Sequence, residues 1–155
     1  MNGDPTPRAD LAAMLMPLSR ALAAAELPVL TSHGLTMWGY IVLSALDGDQ
    51  PTRTQAALAA SIGADKTRII AVLDDLQERG LIQREPDPAD RRVHLLSLTR
   101  AGRQARTSAQ AGIRSREERL LARLPARDRA AFLRALQTLA ALPADVIIGR
   151  DAPEQ

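Results

Sequence analysis

Two short runs hold most of the chemistry in this chain: Lys66-Thr67-Arg68 with Ile70 and Ala71 just beyond, and Asp90-Arg91-Arg92. A guanidinium presents a rigid donor fork that fits a phosphate or the edge of a guanine, and an ammonium suits phosphate. A threonine hydroxyl bonds base or phosphate, while the methyl groups of Ile and Ala pack on thymine methyls. Of the 20 basic residues 19 are arginine, Lys66 being the one lysine. A genome biased toward Ala and Arg accounts for that excess as readily as a functional demand. The placement is more telling, because residues 50–106 hold ten Lys and Arg against seven Asp and Glu, whereas the whole chain nets only +2. Positive charge is therefore concentrated around the two runs, as a polyanionic partner would require.

Other chemistries find no support. With no cysteine there is no disulfide, thiolate metal site, cysteine nucleophile or thiol redox switch. The two histidines, His33 and His94, are far apart in sequence, and nothing suggests a metal site built from carboxylates. No Gly-rich phosphate loop and no nucleophile with an adjacent base occurs. Asp74-Asp75 and Glu117-Glu118 are neighbours on helices, where adjacent side chains point apart, and both pairs are expected to be solvated. We therefore expect no enzyme activity, no cofactor and no metal.

The length of 155 residues with 46% hydrophobic content suits one cooperative unit, read as a single domain over 1–155. The apolar stretches are interrupted by charge or proline before the roughly 20 residues that a membrane helix needs. The start MNGDPTPRAD lacks the pattern of a secretory signal, so the expected location is the cytoplasm, with no membrane partner.

The elements that must position the two runs follow from periodicity and caps. Leu11, Met14, Leu18 and Leu22 make one apolar stripe on a first helix, which Pro17 should kink and which Pro28 and Gly34 should end in a connector. Thr36 caps a core helix stopped by Asp47-Gly48-Asp49. Thr54 caps a short helix closed by Gly63, and Asp65 caps a longer one that runs to Arg79 and Gly80. Two helices so joined are the sequence form of a helix-turn-helix. Alternation then replaces the helical period in LIQRE and VHLLSLT around DPADRR, which predicts two strands about a polar turn. Thr99 caps a long helix carrying Ala101, Ala105, Ala109 and Ile113, Pro125 breaks the run, and a last helix carries Phe132, Leu133, Leu136, Leu139 and Ala140. Residues 143–155 are expected to form a loose tail.

In the long helix beginning at Asp65, Ile69, Val72, Leu73 and Leu76 must face the core, so Lys66, Thr67, Arg68, Ile70 and Ala71 face outward. A solvated helix start fits these residues too. An exposed Ile70-Ala71 pair could equally serve a protein partner, although the retained arginines argue against that.

The continuous segment LDDLQERGLIQREPDPADRRVHLLSLTRAGR, Leu73 to Arg103, resembles the recognition-helix end, first strand, wing and second strand of the multiple-antibiotic-resistance regulator (MarR) family. The resemblance covers roughly residues 10–142. It implies a mainly α fold with a small β-wing: a winged helix-turn-helix at 35–106, flanked by dimerisation helices at 8–28 and 107–142. It further implies a homodimeric repressor on a near-palindromic site in double-stranded DNA, with two recognition helices about 34 Å apart. The resemblance places Lys66, Thr67, Arg68, Ile70 and Ala71 in the major groove, although many members carry polar or basic residues where Ile70 and Ala71 stand. In the wing it assigns Arg92 to the minor groove, Asp90 to orienting it and Arg91 to a phosphate. Narrow minor grooves attract arginine, whereas a hairpin ion pair would also explain Asp90 and Arg92. Arg53 and Thr54, at a helix start, are candidates for the DNA backbone. Release by a small aromatic or phenolic effector is implied as well, with Met14, His33, Met37, Trp38 and Tyr40 near where its pocket would lie, though such residues at helical spacing also suit a core.

Overall fold

The computed structural model describes residues 8–48 and 53–149. Where length suggests one unit, the packing divides into two compact units that meet at Ile113–Arg114. Every fully buried apolar side chain among the described residues lies in the first.

The first unit opens with helix α1 (Leu11–Ser32), which is longer than its sequence suggests. Pro17 and Pro28 both sit inside it, and the connector begins only at His33. Each proline deletes one backbone hydrogen bond. Past Pro28, Val29 and Leu30 are buried in the core, and that burial offsets the lost bond. Gly34, at φ +67°, then lets the Leu35 amide turn back to the Leu30 carbonyl at 2.8 Å. Because neither proline ends it, α1 is long and apolar enough to cross a membrane by length and composition, contrary to the interrupted stretches expected. It carries Arg20 and Glu26 in its middle.

Helix α2 (Met37–Leu46) begins where Thr36 Oγ1 accepts from the Gly39 amide at 2.9 Å. Its Val42, Leu43 and Leu46 are fully buried. Strand β1 (Arg53–Thr54) leads into α3 (Gln55–Ile62), capped by Thr54 Oγ1 at 3.1 Å from the Ala57 amide. Gly63 closes α3 with φ +64°, and α4 (Lys66–Glu78) follows with Asp65 as its cap. Strands β2 (Ile82–Pro86) and β3 (His94–Leu98) pair antiparallel, with Arg84 opposite Leu96. The sheet has three strands in the order β1-β3-β2, one more than alternation predicts. β1 spans only two residues, too short for a period, and exists because Arg53 and Thr54 pair with Leu96 and Leu95.

Helix α5 (Arg100–Leu121) crosses the unit boundary. Thr99 caps it, accepting from the Gly102 amide at 3.0 Å while its hydroxyl donates to the Gly80 carbonyl at 2.7 Å. The inward stripe of α5 is Gly102, Ala109 and Ile113, buried, with Ala105 half-buried; Ala101, expected on it, is exposed because the Leu81 backbone lies against Gly102 instead. Two arginines of α5, Arg103 and Arg106, pair with Asp47 at the end of α2, the latter at 2.8 Å.

The second unit contains the end of α5, α6 (Ala126–Ala140) and α7 (Ala144–Ile148). The break at Pro125 is tied by Arg129 Nε donating to the Leu121 carbonyl at 3.1 Å. α7 replaces the first part of the expected loose tail: Pro143 precedes it and Gly149, at φ +73°, closes it. No residue of α6 or α7 is buried within the chain.

The contact at Gly102 is decisive for stability. A Cβ there would sit 1.9 Å from the Leu81 carbonyl oxygen, whereas an open helical site gains about 1 kcal/mol from Gly→Ala. Gly102→Ala should therefore destabilise by about 1–3 kcal/mol, measured as a lowered denaturant midpoint. A raised midpoint would refute the packing of α5 on Leu81.

Candidate nucleic-acid interface

Burial orients α4. Ile69, Leu73 and Leu76 are fully buried and Val72 half-buried, as the period requires, so Lys66, Thr67, Arg68, Ile70 and Ala71 all lie exposed on the opposite side. Asp65 Oδ1 accepts from the Arg68 amide at 2.8 Å, a cap worth about 1 kcal/mol. The caps and the αL glycine set the angle between α3 and α4 and turn the start of α4 outward.

Polar contacts hold α4 at both ends. At its start the Arg68 guanidinium lies over the Trp38 ring, 5.2 Å from the centroid, with Nε 3.7 Å from Asp65 Oδ2. At its end Arg79 Nη2 donates to the Gly34 carbonyl at 2.6 Å and Nη1 reaches Asp75 at 3.2 Å. Asp74 pairs with Arg84 of β2 at 2.7 Å. Asp74 and Asp75, expected to be merely solvated, thus fasten α4 to a strand and to its own last turn. Arg79 and Arg84 are missed by sequence reasoning because their partners are distant in the chain or chosen by the fold. The density of charge at Asp74-Asp75 is the only signal of them.

The turn between β2 and β3 is ordered by carboxylates and backbone. Asp87 Oδ1 accepts from the Ala89 amide at 2.8 Å and Asp90 Oδ1 from the Arg92 amide at 3.0 Å. The Val93 amide donates to the Asp90 carbonyl at 2.9 Å, and the Asp87 amide to the Val93 carbonyl at 2.8 Å. Asp90 therefore orients Arg92 through its main chain, where a carboxylate–guanidinium pair was expected. Arg91 and Arg92 are both exposed at the tip.

Residues distant in sequence meet in one cleft. About 630 Å³ opens between α3, the start of α4 and the wing, lined by Thr54, Gln55, Lys66, Ile69, Arg92 and His94, among others. Thr54, Lys66 and Arg92 come from the helix-start, recognition-helix and wing sets respectively. Arg53 is placed by its backbone in β1. The cleft combines cationic side chains, a hydroxyl and an apolar floor, which suits a phosphodiester backbone.

The remaining candidates are dispersed. Met37 and Tyr40 are half-buried and pack on the core, while Met14 and His33 are exposed. A Cβ on Gly112 of α5 would stand 3.7 Å from His33 Nε2, which places that imidazole beside α5. Trp38 is half-buried under Arg68. Among the described residues no group of three or more His, Asp or Glu could hold a metal ion.

Comparison with known proteins bears on the family and the fold. The MarR family model matches residues 33–93, from the α1–α2 connector to the wing turn. A Thauera aromatica protein named as a transcriptional regulator for the hcr operon is 31% identical over 111 residues, 72% of this chain, and the chain spans 66% of that protein's length. The transcriptional regulator HosA of Escherichia coli O111:H- is 31% identical over 114 residues, covering 74% of this chain and 80% of HosA. The solved structure of the transcriptional repressor CouR bound to a 23-mer DNA duplex is similar with TM-score 0.72 and 33% identity, covering 84% of this chain and 92% of CouR. The Streptomyces coelicolor regulator PcaV, solved with its natural ligand, gives TM-score 0.62 and 29% identity over 87% of this chain and 97% of PcaV. With its helix-turn-helix, three-stranded sheet and long flanking helices, the chain belongs to the MarR family of transcriptional regulators, which are not enzymes.

Proposed function

We propose that this protein is a cytoplasmic, homodimeric repressor that binds a near-palindromic site in double-stranded DNA and leaves it when a small aromatic or phenolic ligand binds. The observation that supports this most is the shared cleft, in which Lys66 of α4, Arg92 of the wing and Thr54 at the start of α3 converge. Lys66 and Thr54 take phosphates there. Arg68, Thr67, Ile70 and Ala71 enter the major groove, where Ile70, 40% exposed, packs on thymine methyls. Arg91 takes a phosphate and Arg92 the minor groove, on a turn made rigid by Asp90. CouR, solved on a DNA duplex, supports the DNA arm of this reading, and PcaV, solved with a ligand, supports the effector arm.

The dimer accounts for the apolar faces. Met16 on α1 is 53% exposed, and Phe132, Leu136 and Leu139 of α6 are 39%, 43% and 53% exposed. Surfaces of this kind, covered by nothing in one chain, mark an interface, and a second copy of the same helices covers them with twofold symmetry.

Three outcomes check this function. Purified protein should prefer one palindrome in its own upstream DNA over an unrelated duplex by roughly 10³-fold, with affinity falling steeply as salt rises; equal weak binding to both would sink the proposal. Arg92→Ala should weaken binding most at A·T-rich flanks, whereas Arg91→Ala should weaken all sequences alike and lower the salt slope by about one. Normal binding by Arg92→Ala to every site would refute the wing assignment. Leu136→Asp, at a position exposed in the single chain, should turn the dimer into a folded monomer by analytical ultracentrifugation; a variant that remains dimeric excludes α6 from the interface.

A further inference from the structure

Of the outward side chains on α4, Arg68 is the one best equipped to pair with a guanine, and it is also the one that the rest of the fold grips. Its guanidinium lies over the indole of Trp38, and its Nε faces Asp65. A guanidinium over an indole face is attracted by the ring quadrupole, and tryptophan is the strongest of the aromatic partners. The pair of Nη groups is the fork that would meet a guanine edge.

Trp38 belongs to a helix packed against α4. It stands in the first turn of α2, between the Thr36 cap and the buried Gly39, where a Cβ would come 3.7 Å from Leu76 Cδ2 of α4. The packing of α2 on α4 thus fixes the backbone from which the ring projects, and the Arg68 guanidinium lies over that ring. Ordering a long side chain costs free energy on binding, and restraining it beforehand removes part of that cost.

We propose that Trp38 is a positioning residue for Arg68. Without touching DNA, the indole holds the guanidinium in the orientation that meets a base edge, and so sets specificity at the base pair that Arg68 reads. This rests on the DNA-facing reading of α4 given above.

The test uses the full-length protein and its operator with each base pair substituted in turn. Arg68→Ala identifies the base pair that Arg68 reads, by loss of discrimination there. Trp38→Leu should reduce discrimination at that same base pair by about two- to fivefold and leave the other positions unchanged, with Trp38→Phe retaining most of it. In an Arg68→Ala background Trp38→Leu should have no further effect, since a double-mutant cycle isolates the pair. Trp38 is the sole tryptophan of the chain, so Arg68→Met should alter its fluorescence before any DNA is added. An unchanged emission spectrum, an even loss at all base pairs, or the same loss with and without Arg68 would each overturn the proposal. Discrimination lost in Arg68→Ala but intact in Trp38→Leu would overturn it while leaving the DNA-facing reading of α4 standing. No effect of Arg68→Ala at any base pair would overturn both.

Discussion

The apolar seam of α4 is the constraint on which the rest depends. Ile69, Leu73 and Leu76 are each at most 1% exposed, packed with Val42, Leu43, Leu46 and Leu58 of the two preceding helices and Leu96 of the sheet. Burying such side chains stabilises by roughly 1.5–3 kcal/mol each, so the rotation of α4 about its own axis is not negotiable. The face carrying Lys66, Thr67 and Arg68 is outward because the seam is inward. The face proposed to meet DNA is thus a by-product of core packing.

Rotation leaves position and tilt to be decided, and polar contacts decide them. Arg68 with Trp38 and Arg79 with the Gly34 carbonyl attach the two ends of α4 to the same corner between α1 and α2. Arg84 with Asp74 attaches its flank to β2, and so to the wing. Each contact is solvent-exposed at one partner at least, and surface ion pairs stabilise little by themselves. Their value is geometric, because together they relate helix, wing and corner. Both ends of α4 are thereby tied to that corner by specific polar contacts as well as through the core. The pairing of Asp47 with Arg103 and Arg106 performs the same service between α2 and α5.

The flanking helices obey a different logic. In the first unit most of α1 lies outside the core, which takes only Val29 and Leu30 from it, and in the second unit α6 and α7 bury nothing within the chain. A helix of fifteen residues with Phe132, Leu133, Leu136 and Leu139 on one face does not persist in water through propensity alone. Such sequences are stable when the face is covered, as in the proposed dimer.

Much of this was legible in the sequence. The caps Thr36, Thr54, Asp65 and Thr99 and the stop Gly63 are local: each acts within about four residues, so the chain alone reveals α2 to α4 and the start of α5 almost to the residue, while α5 ends at Leu121, before the break expected at Pro125. The outward set on α4 is equally local, since a 3.6-residue period divides one face from the other. The passage of α1 through Pro28 was not legible, because the burial that offsets the lost hydrogen bond comes from distant residues. Nor was β1, which exists only by pairing with β3. The bond from Asp90 to a backbone amide, the convergence of Thr54, Lys66 and Arg92 on one cleft, and the meeting of Arg68 with Trp38 all required the fold. Sequence alone determined which residue types were available and which way each helix must face, because periodicity and capping are short-range. Tertiary structure alone decided which of them meet, because those partners lie up to dozens of residues apart and are brought together only when the core closes.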